Sequence, residues 1–170
     1  EKIDHLVGLI EKGRDENGYF NSYFLQFEKN QRWQQRSSHE LYCAGHLLEA
    51  ALAYVEATGK NRFLEIMINY MDYVYRVFII EKSAAFTTPG HQEIELALIK
   101  LYRHSKIKKY LDLAAFFIDS RGREEREKHT FDWYGPGYAQ DQAPVSEQNH
   151  ARGHSVRFAY LFAAVADLAR

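Results

Sequence analysis

Apolar residues recur at three- and four-residue spacing through most long segments of this chain, and few stretches alternate apolar and polar residues at strand length. That period predicts a fold built almost entirely of helices. The spacing places them at about Lys2 to Lys12, His39 to Ala57, Asn61 to Phe78, His91 to His104, Ile107 to Ser120, and Asn149 to the end. The prolines at 89, 136 and 144 all fall outside these segments, as expected of a residue that breaks helix interiors. With 170 residues, 46% of them hydrophobic, the chain can fill one packed core and hardly two.

The helices repeat. Tyr54-Val55-Glu56-Ala57-Thr58-Gly59, followed by Phe63-Leu64-Glu65-Ile66, aligns with Leu101-Tyr102-Arg103-His104-Ser105-Lys106, followed by Tyr110-Leu111-Asp112-Leu113, at an offset of 47 residues. In each copy an apolar helix ends in a short polar turn and a second helix restarts on an aromatic-Leu-acid-apolar step, the pattern of a repeated helical hairpin. Periodicity alone fits a solenoid or toroid and a simple bundle equally well. It argues against a scaffold of the tetratricopeptide kind, whose repeat is about 34 residues.

Charge and cysteine content narrow the function. A formal net charge of -1, with lysines and arginines scattered among acids, gives no broad basic face for nucleic acid. The apolar runs are broken by charge well short of the roughly 20 residues that span a bilayer. Cys43 is the one cysteine, which excludes an internal disulfide and fits a reducing, cytoplasmic setting. The sequence begins at Glu1 and stops at Ala169-Arg170 inside a helical run, so residues 1–170 are expected to be a single partial domain of something longer.

Two segments escape the helical period. Asp15 to Ser38, rich in aromatics, suits a folded loop or short strands; 121–148 is a long loop, charged in its first third and aromatic around Trp133-Tyr134-Gly135-Pro136-Gly137-Tyr138. The chemical candidates are histidines that follow glycines at or near helix starts: Gly45-His46, Gly90-His91 and Gly153-His154. A glycine there lets backbones approach closely, and an imidazole can donate to or accept from a ligand hydroxyl. The bland alternative is a core or capping histidine. On a helix, His39, Cys43 and His46 share one face, yet the spacing of a metalloprotease motif is absent; the reading favoured is His39 facing a cavity with Cys43 and His46 packed, and no metal ligated by this chain. Glu40, Glu49, Glu93 and Glu95 are possible partners for glycoside chemistry, although Glu49, Glu93 and Glu95 read as helix-surface or helix-start acids.

Several blocks in order resemble glycoside hydrolase family 127. They are Asn17-Gly18-Tyr19-Phe20-Asn21-Ser22-Tyr23-Phe24, Arg32-Trp33, His39-Glu40-Leu41-Tyr42-Cys43-Ala44-Gly45-His46-Leu47-Leu48-Glu49-Ala50, and Pro89-Gly90-His91-Gln92-Glu93-Ile94-Glu95-Leu96-Ala97-Leu98. Phe116-Phe117-Ile118-Asp119-Ser120-Arg121-Gly122, Tyr138-Ala139-Gln140-Asp141 to Pro144-Val145, and Gly153-His154 complete the likeness. Gln142 departs from it, standing where the family often has His.

The resemblance implies an all-α fold in which repeated hairpins form part of an (α/α)6 barrel. It implies a carbohydrate substrate, terminal β-L-arabinofuranose, removed with retention by a zinc-bound cysteine thiolate and a glutamate acid/base. In the family's order those groups come later than anything present here, so zinc is implied for a full-length enzyme and Cys43 is given no catalytic role. His39, His91 and His154 carry over by motif as sugar-binding residues that orient the ring. An unclosed barrel would leave inner helices exposed and open to self-association. A helical-repeat carbohydrate-binding or interaction module without chemistry is the competing reading.

Overall fold

The 47-residue repeat is reproduced bond for bond at the turns of two hairpins. The computed structural model describes residues 1–135 and 137–170; Pro136, one of the prolines placed outside helices, lies outside the described residues. Helices α1 (Lys2–Gly13), α2 (Ser22–Gln26), α3 (Glu40–Thr58) and α4 (Arg62–Tyr75) are followed by α5 (Ile94–Ser105), α6 (Lys108–Ser120), α7 (Glu125–Lys128) and α8 (Ser155–Leu168). At the end of α3 the Thr58 hydroxyl donates to Tyr54 O (2.6 Å), and at the end of α5 the Ser105 hydroxyl donates to Leu101 O (2.8 Å). Gly59 N–H closes on Val55 O and Lys106 N–H on Tyr102 O, both from left-handed backbone, and the next N–H groups, of Lys60 and Ile107, donate back to the same hydroxyls. Each turn thus satisfies carbonyls that a helix end would otherwise leave open.

The hairpins stack in two layers. The first helices, α3 and α5, pack together and α8 continues the layer against α5; the second helices, α4 and α6, pack behind them, and α1 lies against α4. The apolar sides of these helices close one core, with Leu48, Met67, Met71, Leu98, Leu101, Leu113 and Phe117 fully enclosed. This arrangement of layered hairpins, rather than a simple bundle, resolves the alternative left open by periodicity.

Some boundaries move. Helical backbone runs on from α4 through a π-turn, Arg76–Glu81, which aims Val77 and Phe78 inward so that Phe78 meets Trp33, Phe86 and Phe117. The expected start of α5 at His91 is wrong: residues 91–93 are non-helical, and Glu93 N–H is taken by Glu95 Oε2. The expected start of α8 at Asn149 is also wrong, because His154 N–H donates to Tyr138 O and the Gln140 amide donates to the carbonyls of Arg152 and His154. Asp15 to Ser38 contains α2 and a 3₁₀ turn, Lys29–Gln31, and no strand. The charged part of the 121–148 loop folds as α7 and buries Glu127. Exposed apolar side chains expected on inner helices include Val156 of α8, but a row of three, Ile3, Leu6 and Leu9, lies on α1.

Candidate functional site

His39 stands immediately before α3 in left-handed backbone (φ 60°), a conformation that costs a side-chain-bearing residue roughly 1–2 kcal/mol. Its side chain makes no capping hydrogen bond. Instead the imidazole lies against that of His91, ring centroids 3.5 Å apart and planes at 28°. Tyr42, one turn into α3, sets its ring edge against both, at 5.8 Å from His39 and 6.0 Å from His91. Gly90, beside His91, lets the Arg36 backbone pass close, since a methyl group there would fall 2.4 Å from Arg36 O.

From His91 an aromatic strip leads to the third histidine. Phe131 lies 5.7 Å from His91, Tyr138 5.6 Å from Phe131, and His154 5.4 Å from Tyr138. The buried Arg157 guanidinium caps the strip, 4.3 Å over Phe131 and 4.5 Å over Tyr138. The structure therefore brings His39 and His91 into contact and places His154 at the other end of a short strip. Burial, then Arg157, His39, Arg36 and His154, push the His91 pKa down to about 3. Burial and Arg157 lower that of His39. Neutral imidazoles result, each with one donor and one acceptor. The Nδ1 atoms of His91 and His154 are buried without a partner in the protein.

A buried ionic clasp fixes this geometry. Arg36 grips Asp141 with two bonds of 2.8 and 2.9 Å and also donates to Thr88 O and Glu127 O. Arg121, fully enclosed, donates to the same Asp141 (3.1 Å), to Pro89 O (2.7 Å) and to Ala139 O (2.9 Å). Gln92 ties the His91 segment to Ala139 O and the Gln140 side chain. The chain before His39, the turn before His91 and the loop before His154 are thus bolted at one point. Arg121 and Asp141 sit in blocks already singled out by resemblance; Arg36 carried no such signal.

The acids correct the sequence reading. Glu93 and Glu95 stand at the start of α5 as expected, Glu93 as its N-cap and Glu95 in its first turn, but both are buried, Glu95 against Arg121 at 3.4 Å. Glu40 faces away from the histidines, accepting from the Tyr19 hydroxyl (2.6 Å) and Trp33 N–H (2.9 Å), and burial raises its pKa to about 7. Cys43 is exposed rather than packed, and His46 is half-buried. The metal-capable group that the structure assembles is His46, Glu49 and Glu93, with ligand atoms all within 4.8 Å of one another, and not His39, Cys43 and His46.

The family described as β-L-arabinofuranosidase, GH127 catalytic domain, matches residues 1–170. A non-reducing end β-L-arabinofuranosidase of Bifidobacterium longum subsp. longum is 34% identical over 98% of this chain and 28% of its own length. The crystal structure of a GH127 β-L-arabinofuranosidase from Geobacillus stearothermophilus T6 superposes with a TM-score of 0.91 at 44% identity, covering 98% of this chain and 28% of that one. A GH127 β-arabinofuranosidase structure gives 0.86 at 36% identity, over 99% of this chain and 27% of its own. The chain thus spans less than a third of these relatives' length.

Proposed function

This chain belongs to the GH127 β-L-arabinofuranosidase catalytic-domain family, its hairpins part of an (α/α)6 barrel, and from that premise we propose that it supplies the sugar-holding part of an enzyme that removes terminal β-L-arabinofuranose with retention. His39, His91 and His154 hold the furanose hydroxyls. The observation that carries this reading is the pair of neutral, contacting imidazoles of His39 and His91 on a rigid clasp. Sugar hydroxyls both donate and accept, so neutral rings match them where imidazolium would only donate. The clasp keeps these groups from reorganising when the ring arrives, which is how positioning lowers a barrier.

The zinc-bound thiolate implied by resemblance does not fit the residues of this chain. Cys43 is its one cysteine, and partial desolvation followed by the carboxylates of Glu40 and Glu93 raises its pKa, opposite to what a nucleophile needs. No step of the reaction is assigned to it. The test is titration of methyl β-L-arabinofuranoside into the chain, followed by saturation-transfer NMR. Binding that disappears in His91→Ala and His154→Ala supports the proposal. Binding unchanged by both substitutions overturns it.

A further inference from the structure

Glu93 is an anomaly that sugar binding does not absorb. Its side chain is 0% exposed, no backbone N–H or basic side chain hydrogen-bonds either carboxylate oxygen, and its hydrogen-bonding neighbour is the Glu49 carboxyl, which can pair with it only through a shared proton. A buried carboxyl held only by another acid is poorly compensated, and such a group marks a place for a counter-charge. The local backbone is shaped to keep it there. A methyl group at Gly45 would lie 1.6 Å from Glu93 Oε2, so the carboxylate rests on the bare backbone of α3. His46 turns Nδ1 toward it at 3.6 Å, and Glu49, three residues along the same helix, completes a group whose ligand atoms lie within 4.8 Å of one another.

We propose that His46, Glu49 and Glu93 bind a divalent first-row transition ion, in a site of one imidazole nitrogen and two carboxylate oxygens between α3 and the start of α5. This donor set suits manganese or zinc better than an all-oxygen calcium cage. The fully buried Glu93 carboxyl and the partly exposed Glu49 carboxylate repel when both are ionised, and a cation held between them would relieve that. Lys100 pairs with Glu49 and orients that carboxylate. The rings of Tyr42 and Tyr160 stand edge-on to His46 at 4.5 and 5.9 Å and hold its plane. Tyr42 also touches the His39 and His91 pair, so an ion here would stiffen the wall of the sugar site from one turn away.

The experiment strips the chain with EDTA and titrates it with manganese(II), following the loss of the free-ion electron paramagnetic resonance signal. Manganese is the probe because exposed Cys43 would compete for zinc through its thiol. One saturable equivalent is expected. Glu93→Gln and His46→Gln should each weaken it by at least about tenfold, a loss that removal of even an outer-shell partner can produce. Glu93→Gln keeps the shape of the neutral acid; circular dichroism checks its fold, and if it fails, the half-exposed His46 variant decides. Absence of saturable binding, or binding that survives both substitutions, overturns the site. Neither outcome depends on the sugar, because no sugar is present.

Discussion

The imidazoles of His39 and His91 stack at 3.5 Å although they come from opposite ends of a stretch that includes a complete helical hairpin. Two protonated rings could not share that space, and the depressed pKa values of both say that neither is charged near neutral pH. For His91 the folded pKa of about 3 lies below the ordinary 6.5. The unfolded chain therefore binds the proton more tightly, and stability should fall as pH drops from about 6.5 toward 3. Carbon-bound ring protons followed by NMR should show no His91 titration between about pH 5 and 8. A midpoint near 6.5 would mean that the ring is solvated and the stack absent.

The strain at His39 separates stability from function. Because the left-handed backbone costs a residue with a side chain roughly 1–2 kcal/mol and the His39 side chain caps nothing, His39→Gly should be about 1 kcal/mol more stable than His39→Ala, while both lose the stack and with it arabinofuranoside binding. His39→Ala keeps the strain and loses the stack, so it should be the less stable of the two. Urea unfolding of both variants measures the difference. Equal stabilities would show that the conformation carries no cost.

Glu40 gives a second, oppositely signed pH effect. Its pKa in the fold is about 7 against an ordinary 4.5, so its contribution is present in full below about 4.5 and is lost as pH rises through 7. Glu40→Gln should remove that dependence, since an amide can accept from Trp33 N–H and donate to the Tyr19 oxygen. Glu40→Ala should instead cost about 1–3 kcal/mol for each donor left buried and unpaired. Thermal midpoints of the three proteins at about pH 5 and 8 provide the check.

How much of this was legible depended on whether the cause was local. Thr58-Gly59 and Ser105-Lys106 end their helices by contacts within five residues, and the sequence shows both turns at the right offset. The late start of α8 was hidden, because the groups that hold residues 152–154 out of helix are Tyr138 and Gln140, far back in the loop. Glu127 lies in the charged first third of the 121–148 loop, and nothing near it in sequence shows that it is buried against Arg36, 91 positions away. Glu93 and Glu95 sit at the helix start where they were read, and only their burial, Glu95 against Arg121, was hidden for the same reason. The Gly-His pairs were visible as pairs, but not that Gly45 makes room for Glu93 while Gly90 makes room for the Arg36 backbone. Motif order pointed to His39, His91 and His154; only the fold shows which two touch.

Asp141 is the point on which the placement of all three histidines turns, because it pairs at once with Arg36 and Arg121, both buried. Removing it leaves two guanidiniums short of their shared counter-charge, and breaking a buried pair of this kind costs about 3–5 kcal/mol. Asp141→Ala should therefore destabilise strongly and free the 121–148 segment, seen as faster amide exchange there than in α3 and α4. A quintuple variant, Arg36→Met, Arg121→Met, Asp141→Leu, Glu95→Gln and Glu127→Gln, removes both guanidiniums together with the buried carboxylates they pair with and should recover part of the stability. If the clasp serves only to hold the fold, that variant should bind arabinofuranoside as well as the parent. If it aims His39 and His91, binding should stay lost while stability returns, and the split between the two readouts decides the matter.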